Sequence, residues 1–322
     1  MKAIFNLFVT IIFCLTAHAQ TSRYALVIHG GAGVMDQNTM TTEQQQEYIQ
    51  VLNHVLYAGD SVLSHGGTCL DAVEKAIILM EDSPLFNAGK GAVFTHDGLV
   101  ELDASVMDGK TLKAGAIAAV RDIKNPVRVA RAVMEKSEHV FLNCEGASQF
   151  ARDQGFHPVD NSYFYTEKRR KQLEELLKKE REAGTNDKHG TVGCVALDQY
   201  GNIAAGTSTG GMTNKRYGRI GDSPVIGAGT YANNQTGAFS CTGHGEYYIR
   251  LVFSRDISAL MEYKGLSVQE ACHTEIDKLT QLGGTGGVIG IDRFGNVAME
   301  FNTPGMFRGY IKSNGEKQVA IF

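Results

Sequence analysis

Three things are missing from this sequence, and each narrows what it encodes. There is no basic excess: the formal net charge is −4 and the pI is near 6.2, so the electrostatic footprint that nucleic acid or an anionic lipid surface requires is absent. There is no C-x-x-C. Of six cysteines, Cys14 lies in the apolar run near the start; the other five, Cys69, Cys144, Cys194, Cys241 and Cys272, are scattered and odd in number, a set that frames neither a disulfide scaffold nor a zinc site and is expected as buried free thiols. There is no apolar run of bilayer-spanning length, since the one from Ile4 to Thr16 falls short of the ~20 residues a spanning helix needs. What is abundant is glycine, 37 residues with no collagen period, which implies many tight turns and a glycine-lined site. A length of 322 residues with 43% hydrophobic and 20% charged content suits one large globular domain or two intermediate ones.

The short apolar run has the form of an export signal. Lys2 supplies the positive start and Ala17-His18-Ala19 the small-x-small cleavage site before Gln20. Residues 1–19 are therefore expected to be removed, leaving a periplasmic or secreted protein with no membrane anchor. Beyond them, Tyr24 to Ile28 reads as a buried strand ending in the glycine turn His29-Gly30-Gly31-Ala32-Gly33. No amphipathic helix opens directly after it, which favours a turn bordering a pocket over a phosphate cradle. Helical periodicity spans Thr42 to Ser64, and Thr68 caps a second helix that Pro84 ends. A meander over Ala92–Thr95, Val100–Val106 and Leu112–Val120 follows, its short connections implying antiparallel pairing. Asn125-Pro126 starts a helix, and Gly146–Gln154 is another. Lys168–Glu182 is a solvated charged helix, and Gly184–Gly190 has linker chemistry. Asp198–Ala204 and Asp292–Ala298 echo one another as strand, turn, strand. Between them lie a long helix from Gly245 to Tyr263 and one from Ser267 to Leu282, with Ser267 and Glu270 as a capping box. The pattern predicts an α+β fold with helix layers covering antiparallel sheets.

At Gly190-Thr191 the charged linker gives way to an apolar strand. An internal threonine hydroxyl is a weak nucleophile without a base, but breaking the Gly190-Thr191 bond would give Thr191 a free α-amine able to serve as one. Thr209, at the far end of the same hairpin, can return beside Thr191 and hydrogen-bond it, although hydroxyls at hairpin ends are commonly structural. Arg219 and Asp222 offer a cation and an anion in one glycine-containing loop. That suits the carboxylate and ammonium of a free amino acid, or equally a mutual surface salt bridge. Thr242-Gly243-His244-Gly245-Glu246 leads into a helix, where backbone N–H groups can hold an oxyanion and Thr242 can serve as a cap. His244 has no nearby histidine or cysteine in the sequence to complete a metal site. Met80 to Gly91 is a loop whose carbonyls can ring a hard cation or simply turn the chain.

Together these segments resemble the plant-type L-asparaginase/isoaspartyl peptidase family: His189 to Gly193, Thr207 to Asn214, Gly218 to Pro224, Thr242 to Glu246 and Phe86-Asn87-Ala88-Gly89, with His29 to Gly33 and Asn302 to Met306 near the ends. The resemblance covers essentially the whole chain after residue 19. It implies a four-layer αββα sandwich of the N-terminal nucleophile hydrolases, made as a precursor that cleaves itself into 20–190 and 191–322 and pairs as a homodimer of two-chain units. Carried over by residue, it implies Thr191 as nucleophile and Thr209 as its partner hydroxyl. Arg219 takes the substrate α-carboxylate, and Asp222 with the Gly245 carbonyl takes the α-ammonium. Thr242 and Gly243 supply the oxyanion donors, and Asn87 supports the nucleophile. The resemblance also implies that the carbonyls of Met80, Glu81, Ser83, Phe86, Ala88 and Lys90 would hold a structural Na⁺, and it implies no catalytic cofactor. The expected substrates are L-asparagine and β-aspartyl peptides. Glycosylasparaginase is a neighbouring alternative, disfavoured because it carries Asp where this chain has Gly190 and lacks the Phe86-Asn87-Ala88-Gly89 loop. A non-catalytic periplasmic binding protein that keeps the clamp is the alternative of another class.

Overall fold

The computed structural model describes residues 23–33, 35, 37, 40–182 and 190–322. The expected export signal and the linker residues 184–189, His189 included, lie outside them. Side-chain alternation in β1 (Ala25–Gly33) sets the layering: Leu26 and Ile28 enter one apolar cluster, Ala25 and Val27 another. A strand buried on both faces needs a layer on each side. On the Leu26 side lie α1 (Thr42–Ser64) and α2 (Cys69–Glu81), which bury Leu52, Val55 and Leu56, and Val73, Ile77 and Met80, in the same cluster. Each fully buried aliphatic side chain is worth about 1.5–3 kcal/mol. Both helices begin in capping boxes, Thr41 with Gln44 and Thr68 with Asp71, which satisfy N–H groups the first turn cannot pair.

The chain continues through β2 (Leu102–Asp108), β3 (Ala114–Val120), α3 (Pro126–Lys136), β4 (Phe141–Asn143), α4 (Cys144–Asp153) and α5 (Glu167–Glu182). After the linker come β5 (Val192–Leu197), β6 (Ile203–Thr209), β7 (Thr230–Ala232) and β8 (Gly237–Gly243). Then follow α6 (Gly245–Leu251), α7 (Phe253–Lys264), α8 (Val268–Gln281), β9 (Gly286–Asp292), β10 (Val297–Phe301), β11 (Gly305–Lys312) and β12 (Lys317–Ala320). One sheet runs β12-β11-β1-β5-β6-β2-β3-β4 and the other β10-β9-β8-β7. Their inner faces meet through Val195, Leu197, Ile203 and Ala205 on the first and Ala238, Ile289 and Ile291 on the second. Helices α7 and α8 cover the second sheet with Ile257, Ala271, Ile276 and Leu279 against Phe239 and Val288. This is the expected αββα sandwich.

Several expectations change in detail. The first strand does not stop at Ile28 but runs through the glycines to Gly33, with its register against β11 shifting between His29 and Gly31. The expected strand Ala92–Thr95 is reduced to a bridge from Phe94 to Val100 after a 3₁₀ turn at Gly89–Gly91. Among the described strands, β4 pairs parallel with β3 while the other ladders are antiparallel. The long helix Gly245–Tyr263 is two helices, broken where Val252 takes a left-handed φ of 50°. Backbone N–H groups just past the break, from Ser254 and Arg255, donate to the carbonyls of Ala228 and Gly227 at 3.2 and 2.9 Å, so tertiary bonds replace the helical ones given up. Asn125 precedes α3 without capping it, because its amide donates to Asp82 instead. Cys144 is exposed, whereas Cys69, Cys194, Cys241 and Cys272 are buried free thiols. The two echoed turns match the prediction: Asp198 accepts the N–H groups of Tyr200 and Asn202, and Asp292 those of Phe294 and Asn296.

Candidate active site

The pairing of β5 with β6 places Val192 opposite Ser208, so Thr191 and Thr209 meet at the end of the hairpin. The Thr191 hydroxyl donates to Thr209 Oγ1 at 3.3 Å, and Thr209 donates onward to the Gly190 carbonyl at 2.9 Å. A second donor reaches that carbonyl, the Asn87 amide Nδ2 at 2.6 Å. Asn87 is held on every side: Nδ2 also reaches the Gly211 carbonyl at 2.7 Å, Oδ1 accepts the Val93 N–H at 2.9 Å, and its carbonyl accepts the Gly210 N–H at 3.1 Å. Two donors on one peptide oxygen polarise the Gly190 carbonyl and stabilise negative charge developing there.

Beneath Thr191 lies a residue to which the sequence assigned no catalytic role. His29 Nδ1 sits 3.2 Å from the Thr191 carbonyl and Nε2 sits 2.9 Å from Ser240 Oγ. A carbonyl can only accept, so Nδ1 carries the proton and Nε2 accepts from Ser240. Burial pushes the His29 pKa down to about 3 against the opposing pull of the Thr191 carbonyl. His29 is thus a neutral brace for the start of β5 and no base. Ser240 continues to Thr207 at 2.7 Å and Thr207 to Thr230 at 2.6 Å, a hydroxyl chain between the sheets.

A cavity beside Thr191 is lined by Gly190, Thr191, Thr209, Gly211, Arg219, Gly221, Asp222, Ser223 and Gly243. Arg219 and Asp222, expected to grip a head group, thus share one space with the expected nucleophile, and Gly245 is outside its lining. Asp222 is buried, and its Oδ2 has no hydrogen-bond partner among the described residues. Burial raises its pKa to about 7, with Arg219 pulling the other way. An unpaired buried carboxyl oxygen facing a binding cavity is costly unless a ligand supplies the donor. A Cβ on Gly245 would lie 2.8 Å from Asp222 Oδ1 and 3.0 Å from Arg219 Nη2, so only glycine lets the start of α6 close on this pair.

The mutual Arg219–Asp222 salt bridge left open by the sequence is not what forms. Arg219 instead grips Glu246, Nε to Oε1 at 2.9 Å and Nη2 to Oε2 at 2.8 Å. His244 Nε2 lies 3.2 Å from Glu246 Oε2. Thr242 is buried and its hydroxyl accepts the Ala32 N–H at 3.3 Å, while Gly243 borders the cavity. Glu246 stands inside a motif visible in the sequence, but only its place next to Gly245 could have drawn attention to it. In the 80–91 loop, a Cβ on Gly89 would lie 2.3 Å from the Glu81 carbonyl, and one on Gly91 would lie 2.2 Å from that of Phe86. Met80 and Ala88 carbonyls also accept N–H groups, from Ser83 and Gly91, both at 3.3 Å. A wider cleft elsewhere is lined by residues such as Asp122, Arg128, Ser148, Arg152 and Phe156, where the Ser148 hydroxyl donates to Asp122.

The family model described as asparaginase matches residues 22–321. The chain belongs to the asparaginase family. Its similarity extends along nearly full-length relatives bearing the names of enzymes. It is 50% identical to an isoaspartyl peptidase of Escherichia coli strain K12, over 88% of this chain and 92% of the relative. It is 43% identical to a protein of Arabidopsis thaliana named probable isoaspartyl peptidase/L-asparaginase 2, over 93% and 99%. A Xenopus laevis isoaspartyl peptidase/L-asparaginase is 42% identical over 90% and 92%. These likenesses agree with the αββα sandwich, and in this member of the asparaginase family Asn87, Thr209, Arg219, Asp222 and Gly243 lie around Gly190 and Thr191.

Proposed function

We propose that this chain is an amidohydrolase that cuts itself between Gly190 and Thr191, then hydrolyses the side-chain amide of L-asparagine and the isopeptide bond of β-aspartyl peptides. The observation that carries this reading is the Gly190 carbonyl held by Asn87 and Thr209 at the mouth of a cavity shared with Arg219 and Asp222. Self-cleavage proceeds by attack of Thr191 Oγ on the Gly190 carbonyl carbon. The C–N bond breaks, the nitrogen takes the hydroxyl proton, and an ester joins Gly190 to Thr191. Water then hydrolyses the ester, giving a Gly190 carboxylate and a free Thr191 amine. Removal of the Gly190 acyl group frees the space in which Asn87 and Thr209 held its oxygen.

In the mature protein the Thr191 amine acts as the base. The substrate α-carboxylate meets Arg219 and its α-ammonium meets Asp222 and the Gly245 carbonyl, which fixes the β-carbonyl for attack by Thr191 Oγ. The amine takes the hydroxyl proton and passes it to the departing ammonia or peptide amine. Gly243 N–H, with Thr242, supports the oxyanion. Water, deprotonated by the same amine, releases L-aspartate. The carbonyls of Met80, Glu81, Ser83, Phe86, Ala88 and Lys90 would hold a monovalent cation; bound there, Na⁺ would supply a fixed charge that holds the loop bearing Asn87. We place the mature protein, residues 20–322, in the periplasm or outside the cell on the strength of residues 1–19, and propose that it works as a homodimer of cleaved units.

The clamp contacts only the aspartyl half, so the enzyme should be strict about that half and lenient about the leaving group. Fully processed protein should be offered L-asparagine, a β-aspartyl dipeptide, the matching α-linked dipeptide and N4-glycosylated asparagine at equal concentration. The first two should be cut and the α-linked dipeptide refused, because its amide removes the anion that Arg219 needs. Preference for the glycosylated substrate would move the assignment to glycosylasparaginase. Failure on all four after complete cleavage would leave a binding protein.

The clamp also predicts a pH effect. Asp222 accepts the ammonium only when ionised, and its pKa is about 7 in the free site. Acid therefore protonates it and weakens binding, so KM for L-asparagine should rise as pH falls below about 7, up to tenfold per unit. A KM constant between about pH 5.5 and 8.5 would contradict this role for Asp222.

A further inference from the structure

We propose that Glu246 is a positioning residue that holds Arg219 ready for the substrate α-carboxylate. The inference rests on the hydrolytic reading above and assigns a role to a residue outside the implied site. A guanidinium offers two edges for bidentate pairing, Nε with Nη2 and Nη1 with Nη2. Glu246 occupies the first edge, with both bonds under 3 Å. The second edge is left at the cavity: Nη1 lies 2.9 Å from where a Cβ on Gly221 would sit and 3.6 Å from one on Gly211, and both glycines line that space.

The order of the chain makes the arrangement economical. Gly245 closes against Asp222, on the ammonium side, and the next residue, Glu246, fixes Arg219, on the carboxylate side. The two halves of the clamp are thereby tied to consecutive residues in the first turn of α6. His244, two residues before, contacts Glu246 Oε2 at 3.2 Å and limits its movement. Arg219 is the inner member of the pair, with 17% of its side chain exposed against 44% for Glu246. A long arginine side chain immobilised before the ligand arrives loses less freedom when it binds. A carboxylate on the outer edge also offsets part of the Arg219 charge, which favours release of a product carrying an extra carboxylate.

The test uses fully cleaved wild-type protein with Glu246→Ala and Glu246→Asp, assayed on L-asparagine. Binding of β-alaninamide, which keeps the ammonium and the amide but lacks the α-carboxylate, is measured as competitive inhibition. Glu246→Ala should raise KM about tenfold and change kcat less than about threefold, the pattern of lost ground-state positioning. Glu246→Asp should recover part of the loss. The inhibition constant of β-alaninamide should stay within about twofold in all three proteins, because that ligand does not use Arg219. An unchanged KM in Glu246→Ala would overturn the proposal, and so would an equal weakening of β-alaninamide, which would mean that α6 has moved as a whole. A wild-type protein inactive on L-asparagine would instead remove the hydrolytic reading itself.

Discussion

A Thr191→Ala protein will persist as one unbroken chain and will hydrolyse none of the substrates, a loss of at least about a thousandfold. The reason is that one hydroxyl serves twice. It attacks the Gly190 carbonyl in the precursor and the β-carbonyl in the mature enzyme, and alanine removes it from both reactions while leaving the end of β5 otherwise filled. Thr191 is 5% exposed, so the missing hydroxyl and methyl leave a small void rather than an unpaired charge, and folding should survive. Thr191→Ser keeps the hydroxyl but loses the methyl group that restricts χ1, so it should cleave more slowly. Electrophoresis of purified protein over several days checks both. Separation of Thr191→Ala into the same two fragments would mean that an outside protease does the cutting.

The second large effect separates binding from maturation. Arg219→Ala should cleave itself normally, because no head group takes part in that reaction, yet lose more than tenfold in kcat/KM on L-asparagine. Removing a charge-assisted bond to a charged ligand typically costs about 1.5–3 kcal/mol. The loss has a second source in this protein: without Arg219, Glu246 keeps its charge at the cavity rim and repels the substrate carboxylate. Kinetics on the cleaved variant decide the matter. Unchanged efficiency would remove Arg219 from the binding site.

Much of this architecture is legible in the sequence because its causes are local. Thr68 with Asp71 and Ser267 with Glu270 announce their helices just ahead of the first buried side chains, Cys69 and Val268. The apolar run after Gly190 can only be a buried strand, and a short turn at Asp198 returns the chain so that Thr209 comes back to Thr191. What escaped the sequence depends on partners distant in the chain. The break at Val252 puts a β-branched residue where its own preference forbids it, and bonds to Gly227 and Ala228 hold it there. The continuation of β1 through Gly30 and Gly31 depends on β11, some 280 residues later by its partner numbers, from Gly31 to Phe307. His29 reads as the edge of a glycine turn until Thr191 and Ser240 are seen on its two nitrogens. Glu246 reads as a helix-start acid, a favourable charge for the first turn, until Arg219 is found against it. The opposite charges in the Arg219 loop were visible, but their spacing cannot show that Asp222 lines the cavity with Oδ2 unpaired among the described residues while Arg219 takes another carboxylate.

The most direct test of the central claim is the intact mass of wild-type protein purified under denaturing conditions, combined with sequencing of the amino terminus of each fragment. Two fragments are predicted, one beginning at Thr191 and the other ending at Gly190. Hydrolysis of L-asparagine should rise in proportion to their appearance. A single uncut chain with full activity would contradict the account, because Thr191 would then have no free amine with which to act as its own base.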